Sequence, residues 1–571
     1  MTNSKKNFLV TFSFFLIIPF ALFAENESRD LEKKIQARRI EYINWIGDTF
    51  GEMELAMAPN DGRRWALNHA RLLLKRDVEK ANHYFEKFEA PPRDADIYLI
   101  RFLRTLLDFR NQGLFSKEAE GRIVHFLTEW PVNDRSTKKS WPPNYTENHD
   151  LMQLTLGLFA LQYREEDASN QVNELKRFIA DRFKFGFAEF NSRCYQYHFT
   201  NPLIILADYA PDEDLKLAAK QLLDVLFAER LVLGISGYLG GPSLRCRTAS
   251  SNHSLTERKV AYLEDARYDG FLPTVWLAFG LGEPRFDFDN SRVPGLEPAS
   301  IFIASGNEPR LKQDEGLFYA SSLLVPHRVV QELAQESKQR DVLVYNGRRY
   351  LGWPNDDHWE TQKWIPGAIN YYNTAHVSMG SIHSDGWNHQ SRYNSILFSA
   401  DPSMGLRLEI ILRDEPVHKR RYEVRGRVVQ HKNWMLGQGT LFEDGGIESK
   451  AVNGWNVYRV GKGLCAHMEF PDSYHVLQVS DLNAFPSERA FIAALEEPKK
   501  KGQQIVAELI NGDRVSVNLN DMSIDINGEV RRHPSRMLHD CRSLVSVYGS
   551  GVISIYSKEN SVTFDCEDFL N

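Results

Sequence analysis

The sequence predicts an α+β multidomain protein: an N-terminal incomplete α/α toroid followed by a C-terminal antiparallel β-sandwich domain. Three observations lead there. Apolar residues recur at helical spacing through residues of about 30–285, joined by short links that carry Pro, Gly or Asp. From about residue 300 the pattern turns to alternation, with Asn-Gly and Asp-Gly type turns. At 571 residues the chain is too long for one core and long enough for two large domains.

The N-terminus reads as a targeting segment. Lys5 and Lys6 precede the apolar run FLVTFSFFLIIPFALFA (8–24), which holds Pro19 and ends on the small residue Ala24. A basic start, a short apolar run and a small residue make a secretory signal over residues 1–24, so the mature chain is expected to be periplasmic or secreted. The run is short for a membrane span, no cysteine follows it to carry a lipid, and no later segment is long and apolar enough to cross a bilayer. With 25% charged residues and a net charge of −7, the chain lacks the basic balance of a nucleic-acid binder.

Residues 25–290 read as the helical domain. The stretches LEKKIQARRIEYINWIGDTF, RRWALNHARLLLKRDVEKANHYF, ADIYLIRFLRTLLDF, EAEGRIVHFLTEW, DLMQLTLGLFALQY, NQVNELKRFIADRF, NPLIILADYA and DEDLKLAAKQLLDVLFAERL each place apolar residues on one face. Short links between mid-length helices make antiparallel hairpins, and a series of hairpins must stack or close. No fixed period recurs, which favours a toroid over a regular repeat. The proline-rich GEPRFDFDNSRVPGLEP (282–298) ends it. Residues 300–571 then read as β-structure, with DVLVYNGRRYLGW, YNSILFSA, LRLEIILRD, RYEVRGRVVQ, WNVYRVG and DRVSVNLNDMSIDING as strands of sheets packed face to face. The five cysteines show no CxxC spacing, so no thiolate zinc site is expected; Cys541 and Cys566 are the pair available to bridge in an oxidising compartment.

Three clusters in the helical half carry chemistry. In WPPNYTENHDL, Pro142 and Pro143 end whatever precedes, and Asn144 with Glu147 fits a capping box. Asn148 and His149 then fall in the first turn, where the helix dipole disfavours an imidazolium and favours a neutral histidine able to act as a base. They are equally ordinary first-turn residues. In EFNSRCYQYHFTNPL, Asn201-Pro202 marks a helix start, which puts Tyr195, Tyr197 and His198 in the preceding loop as an acid, a base and a stacking surface, or as buried loop anchors. In GISGYLGGPSLRCRTASSNH, Arg245 and Arg247 point the same way in an extended chain and suit a carboxylate, or are solvated loop residues. All three clusters lie between helices, and a closed set of hairpins would gather alternate loops at one end. In the second domain, Trp353, Trp359 and Trp364 with Asp356, Asp357 and His358 form either a sugar-stacking surface or an inter-domain seam. His376, His383 and His389 match no metal-ligand spacing, and no metal or cofactor is expected.

The motifs TENH (146–149), EFNSRCYQYH (189–198) and GGPSLRCR (240–247), in a chain with this layout, resemble the toroid-type polysaccharide lyases: the heparinase II/III-like, alginate and hyaluronate or chondroitin lyases. The resemblance covers almost the whole mature chain in architecture, while the motifs are short and assign no single substrate. It implies β-elimination on an acidic polysaccharide. Asn148 would neutralise the uronate carboxylate, and His149 and Tyr195, with Tyr197 and His198 close by, would act as base and acid. Arg245, Arg247, Glu189, Asn191, Trp353 and Trp359 would bind substrate. The heparinase-type metal-binding histidine pattern does not occur in the β-half.

Two rivals remain open from sequence. An α/α-toroid glycoside hydrolase would use a pair among Glu147, Asp150 and Glu189. A non-catalytic glycan-binding protein would keep the tryptophans and a cleft without needing Tyr195.

Overall fold

The computed structural model describes residues 22–57, 62–89, 95–130, 147–187, 191–192, 195–240, 263–265, 269–282, 284, 314–336, 368–383, 393–398, 406–414, 427–444, 447–470, 473–531 and 537–570. Among them helices fill the first part and antiparallel sheets the second, an α+β layout. The signal segment, apart from its last residues, and residues 285–298 of the proline-rich linker lie outside the described residues.

The helices are α1 (Leu22–Met53), α2 (Gly62–Leu74), α3 (Val78–Glu86), α4 (Ala95–Phe109), α5 (Lys117–Thr128), α6 (Glu147–Tyr163), α7 (Ser169–Phe185), α8 (Gln196–Tyr209), α9 (Glu213–Leu233), α10 (Leu272–Phe279), α11 (Leu317–Ala320) and α12 (Arg328–Gln335). Among the described residues no helix is long and apolar enough to cross a membrane. The periodic stretch 63–85 divides into α2 and α3 because Lys75 and Asp77 take positive φ, 55° and 45°, and turn the chain. Side chains cap other starts: Ser116 Oγ accepts from Ala119 N, and Asp212 Oδ1 accepts from Leu215 N.

Helix α8 corrects the sequence reading. It begins at Gln196, five residues before Asn201, and carries Pro202 inside it. Tyr195 is therefore the N-cap, and Tyr197 and His198 lie in the first turn rather than in a loop. Proline removes only one N–H, leaving the His198 carbonyl without its intrahelical donor. The buried run Phe199–Leu206 supplies the packing that holds the helix.

Contacts between helices give their direction. Trp65 Nε1 donates to Thr105 Oγ1 at 3.0 Å, and His69 Nε2 lies 3.2 Å from Asp108 Oδ2, so α2 runs alongside α4 in parallel. His149 meets Asp96 at the starts of α6 and α4, and Arg110, just past α4, donates to the hydroxyl of Tyr163, the last residue of α6. Arg104 and Asp108, late in α4, meet Asp208 and Tyr209, at the end of α8. So α2, α4, α6 and α8 run parallel, each packed on the next, with α3, α5 and α7 as the return helices between them. All four N-termini share one end of this row.

Among the described residues the β-half holds four antiparallel sheets. The first orders β1 (Leu263–Asp265), β5 (Leu406–Asp414), β4 (Tyr393–Phe398), β3 (Val377–His383) and β2 (Ala368–Asn373), with β8 (Thr440–Glu443) also on β5. The second orders β6 (Arg427–His431), β7 (Trp434–Gln438), β12 (Tyr474–Asp481), β11 (Gly463–Phe470), β10 (Trp455–Val460) and β9 (Ser449–Val452). A five-stranded sheet runs β13 (Lys499–Lys501), β14 (Gln504–Glu508), β15 (Arg514–Asn518), β16 (Ile524–Ile526) and β17 (Glu529–Arg531), preceded by α13 (Glu488–Ala494). The second sheet is the middle of three layers. One face packs Met435, Leu477 and Val479 against Met379, Ile396 and Ile410 of the first sheet; the other packs Leu436, Leu464 and Val476 against Ile505, Val515 and Val517. Strand β12 is accordingly buried at every position.

The last sheet, β18 (Met537–Cys541), β19 (Leu544–Val547), β20 (Val552–Tyr556) and β21 (Ser561–Asp565), joins the helices instead. Leu544, Ile553, Ile555 and Phe564 belong to the same apolar core as α4, α6 and α8, together with Phe318 and Val330 of α11 and α12. His539 ties it down: its Nε2 donates to Glu229 Oε1 and its Nδ1 meets the Ser546 hydroxyl, each at 2.7 Å. Cys541 and Cys566 form no bridge with each other, and the Cys541 thiol donates to Leu544 O.

Asp224 of α9 is buried and accepts from His327 N at 2.8 Å. Burial pushes its carboxyl up to about 7, against the pull of that hydrogen bond and of Lys220. The folded state therefore holds a proton that the unfolded chain releases near its ordinary value of 3.8, and wild-type stability should fall as pH rises from about 4 to about 7 and then level. Asp224→Asn should match wild type at or below about pH 4 and exceed it at pH 8 by on the order of a few kcal/mol. Melting curves of both proteins across this range check it, and parallel curves would refute it.

Candidate functional site

The parallel row places three polar helix starts together, those of α4, α6 and α8. Asp96 is the second residue of α4, Asn148 and His149 the second and third of α6, and Tyr197 and His198 the second and third of α8. Each helix end contributes unpaired N–H groups and about half a positive charge, so the locus is electropositive before any side chain is counted.

In α6, Glu147 is buried and paired with the Arg182 guanidinium of α7, rather than standing free as a cap. Asn144, its expected partner, lies outside the described residues. His149 is 6% exposed, and its Nδ1 lies 2.6 Å from Asp96 Oδ2. An ionised carboxylate only accepts, so Nδ1 donates and Nε2 is the ring atom that carries the lone pair. Asn148 is fully buried, and neither its carboxamide oxygen nor its nitrogen has a hydrogen-bond partner among the described residues. Native structures rarely leave such a group unpaired.

In α8, Tyr197 is walled in. Gly270 presses on its ring so closely that a Cβ there would overlap it. Burial and the charge of Glu315, only partly opposed by Arg101, push the Tyr197 phenol well above its ordinary value, so it keeps its proton at neutral pH. Beneath it Arg101 pairs with Glu315, and Glu315 Oε2 accepts from Asn201 Nδ2 at 2.9 Å. The Arg101 guanidinium passes close over Gly62, where a Cβ would stand 2.7 Å from its Nη1 and push it aside. Tyr195 is only half-buried, with its ring 5.7 Å from that of His198. Asn191, in left-handed conformation at φ 51°, donates to the Tyr371 hydroxyl of β2 at 2.5 Å.

The glycine-rich segment also starts here. Arg230, near the end of α9, donates to Gly237 O at 3.0 Å and Asp269 Oδ2 at 2.5 Å, and reaches Gln196 Oε1 at 3.5 Å.

Of the residues singled out by sequence, Asn148, His149, Tyr195, Tyr197 and His198 come to one end of the helical row, and Asn191 reaches the first sheet. Glu189, Arg245, Arg247, Trp353 and Trp359 lie outside the described residues. Sequence reasoning missed Asp96, Arg101, Glu315, Asn201, Tyr371 and Arg230. One signal was available: α4 carries Asp96, Arg101, Arg104 and Asp108 within an otherwise apolar helix, and charges there must find partners. Among the described residues no group of three or more His, Cys, Asp or Glu is arranged to hold a metal ion. No family model matches the sequence, and no curated protein or solved structure matches it either.

Replacing Arg182 by Met keeps most of the side-chain volume and strands the Glu147 carboxylate in a buried site. A loss of about 3–5 kcal/mol is expected, read as a lowered melting temperature. An unchanged melting point would show that Glu147 does not depend on this pair.

Proposed function

We propose that this chain is a secreted or periplasmic polysaccharide lyase that cleaves a uronic-acid-containing polysaccharide by β-elimination, built on an incomplete α/α toroid and a β-sandwich. The order of contacts supports the toroid: α1, α2, α4, α6, α8 and α11 each pack on the next, and α11 packs back on α1. The face-to-face stacking of the first three sheets supports the sandwich.

The observation that carries the reading is Asn148. A fully buried carboxamide whose Nδ2 donor has no partner among the described residues, beside a histidine and at a cluster of helix N-termini, fits an anion that the site takes up. Elimination from a uronide needs that anion neutralised. The C5 proton is too weakly acidic to leave until the charge building on the adjacent carboxylate is stabilised, which Asn148 and the helix ends would do. His149 Nε2 then takes the C5 proton, the C–H electrons form the C4=C5 bond, and the C4–O4 bond breaks. Tyr195, the half-exposed tyrosine, returns a proton to O4. Tyr197, neutral and enclosed, positions the start of α8.

Near-ultraviolet absorbance on alginate, glucuronan, hyaluronan, chondroitin, heparan and pectate tests this. A rising signal on one of them is expected. Asn148→Leu should lower that turnover about 100-fold or more. The same variant should melt no lower than wild type, because it removes an unsatisfied amide that costs about 1–3 kcal/mol. New reducing ends without absorbance would instead establish hydrolysis, and binding without new ends a glycan-binding protein.

A further inference from the structure

We propose that Asp96 is the positioning residue that sets the tautomer of His149 and stabilises its charged form. This rests on the reading of His149 as the base. An acid at the second position of a helix ordinarily faces water and interacts favourably with the helix dipole. Asp96 is 0% exposed, so that account does not fit.

Its carboxylate is satisfied from two sides. Oδ1 accepts from Ile97 N at 3.0 Å. Oδ2 accepts from His149 Nδ1 at 2.6 Å and from Gln153 Nε2 at 3.3 Å. His149 and Gln153 stand four apart on α6 and so share one face of the helix. Arg101 is one turn further along α4, but its guanidinium is engaged by Glu315 and lies 3.8 Å from Asp314. The group that answers the Asp96 charge is the imidazole.

Two opposing effects act on that ring. The N-terminus of α6 disfavours a positive charge on it, while a carboxylate in hydrogen-bond contact favours one. The carboxylate touches the ring directly at Nδ1, while the dipole acts from the helix end. When Nε2 takes the C5 proton, the ring becomes an imidazolium hydrogen-bonded to Asp96; the carboxylate stays ionised and no proton passes to it. Gln153 holds the carboxylate in line.

Uniformly labelled 15N-histidine protein, compared with His149→Gln to assign the resonances, reads the tautomer directly. Wild type at neutral pH should show a protonated Nδ1 and a lone-pair Nε2. Asp96→Asn should move population to the Nε2–H form. On whichever uronan is cleaved, it should lower kcat about 10²–10⁴-fold while KM stays within about threefold. Asp96→Glu should recover at least about tenfold of the lost rate. A wild-type His149 already in the Nε2–H form overturns the proposal without any variant. So does an Asp96→Asn protein that keeps both tautomer and kcat. If no uronan is cleaved but the tautomer shifts as expected, the positioning role stands and the lyase reading fails.

Discussion

Helix α4 carries four charged residues, Asp96, Arg101, Arg104 and Asp108, on surfaces closed to water. A buried charge without a partner is costly enough to forbid the fold, and each of these finds a different neighbour. Asp96 takes His149 of α6. Arg101 takes Glu315. Arg104 takes Asp208 of α8, and Asp108 takes His69 of α2 and Tyr209. These pairs are directional, so they set register as well as proximity. Sliding α6 or α8 by one turn along α4 would break a buried pair at one end or the other.

That register brings the helix starts level. Hydrophobic packing alone tolerates small shifts between helices, because apolar contacts are non-directional. The charge pairs do not, and the polar ends of α4, α6 and α8 are therefore fixed to within a hydrogen bond. Architecture and chemistry share the same atoms at Asp96, which both locks α4 to α6 and fixes which nitrogen of His149 carries the lone pair.

Much of the fold was legible in the residues. The helix over 95–109 and the strand over 406–414 lie where their periodicities put them, because both are bounded by breakers and filled with one type of pattern. The start of α8 was misplaced because Asn201-Pro202 is a strong local signal, and tertiary packing of Phe199–Leu206 overrode it. The stacking of three sheets was hidden as well. Burial on both faces erases the alternation of β11 and β12, and only the contact partners reveal it. Asn148 and His149 could be picked out as polar residues at the mouth of an apolar helix. Their partner Asp96 could not, since it lies 53 residues away from His149 and no local pattern links the two.

The final sheet carries a consequence for how the chain is made. Leu544, Ile553, Ile555, Phe564 and Phe569 complete a core whose other members begin at Tyr42, and His539 closes on Glu229 across 310 residues. A ribosome releases the helices long before these side chains exist. Until the last residues emerge, α7 and α9 present uncovered apolar faces, and loop closure over such a distance is slow. The helical half therefore completes its core only with strands that stand some 310 residues further along the chain.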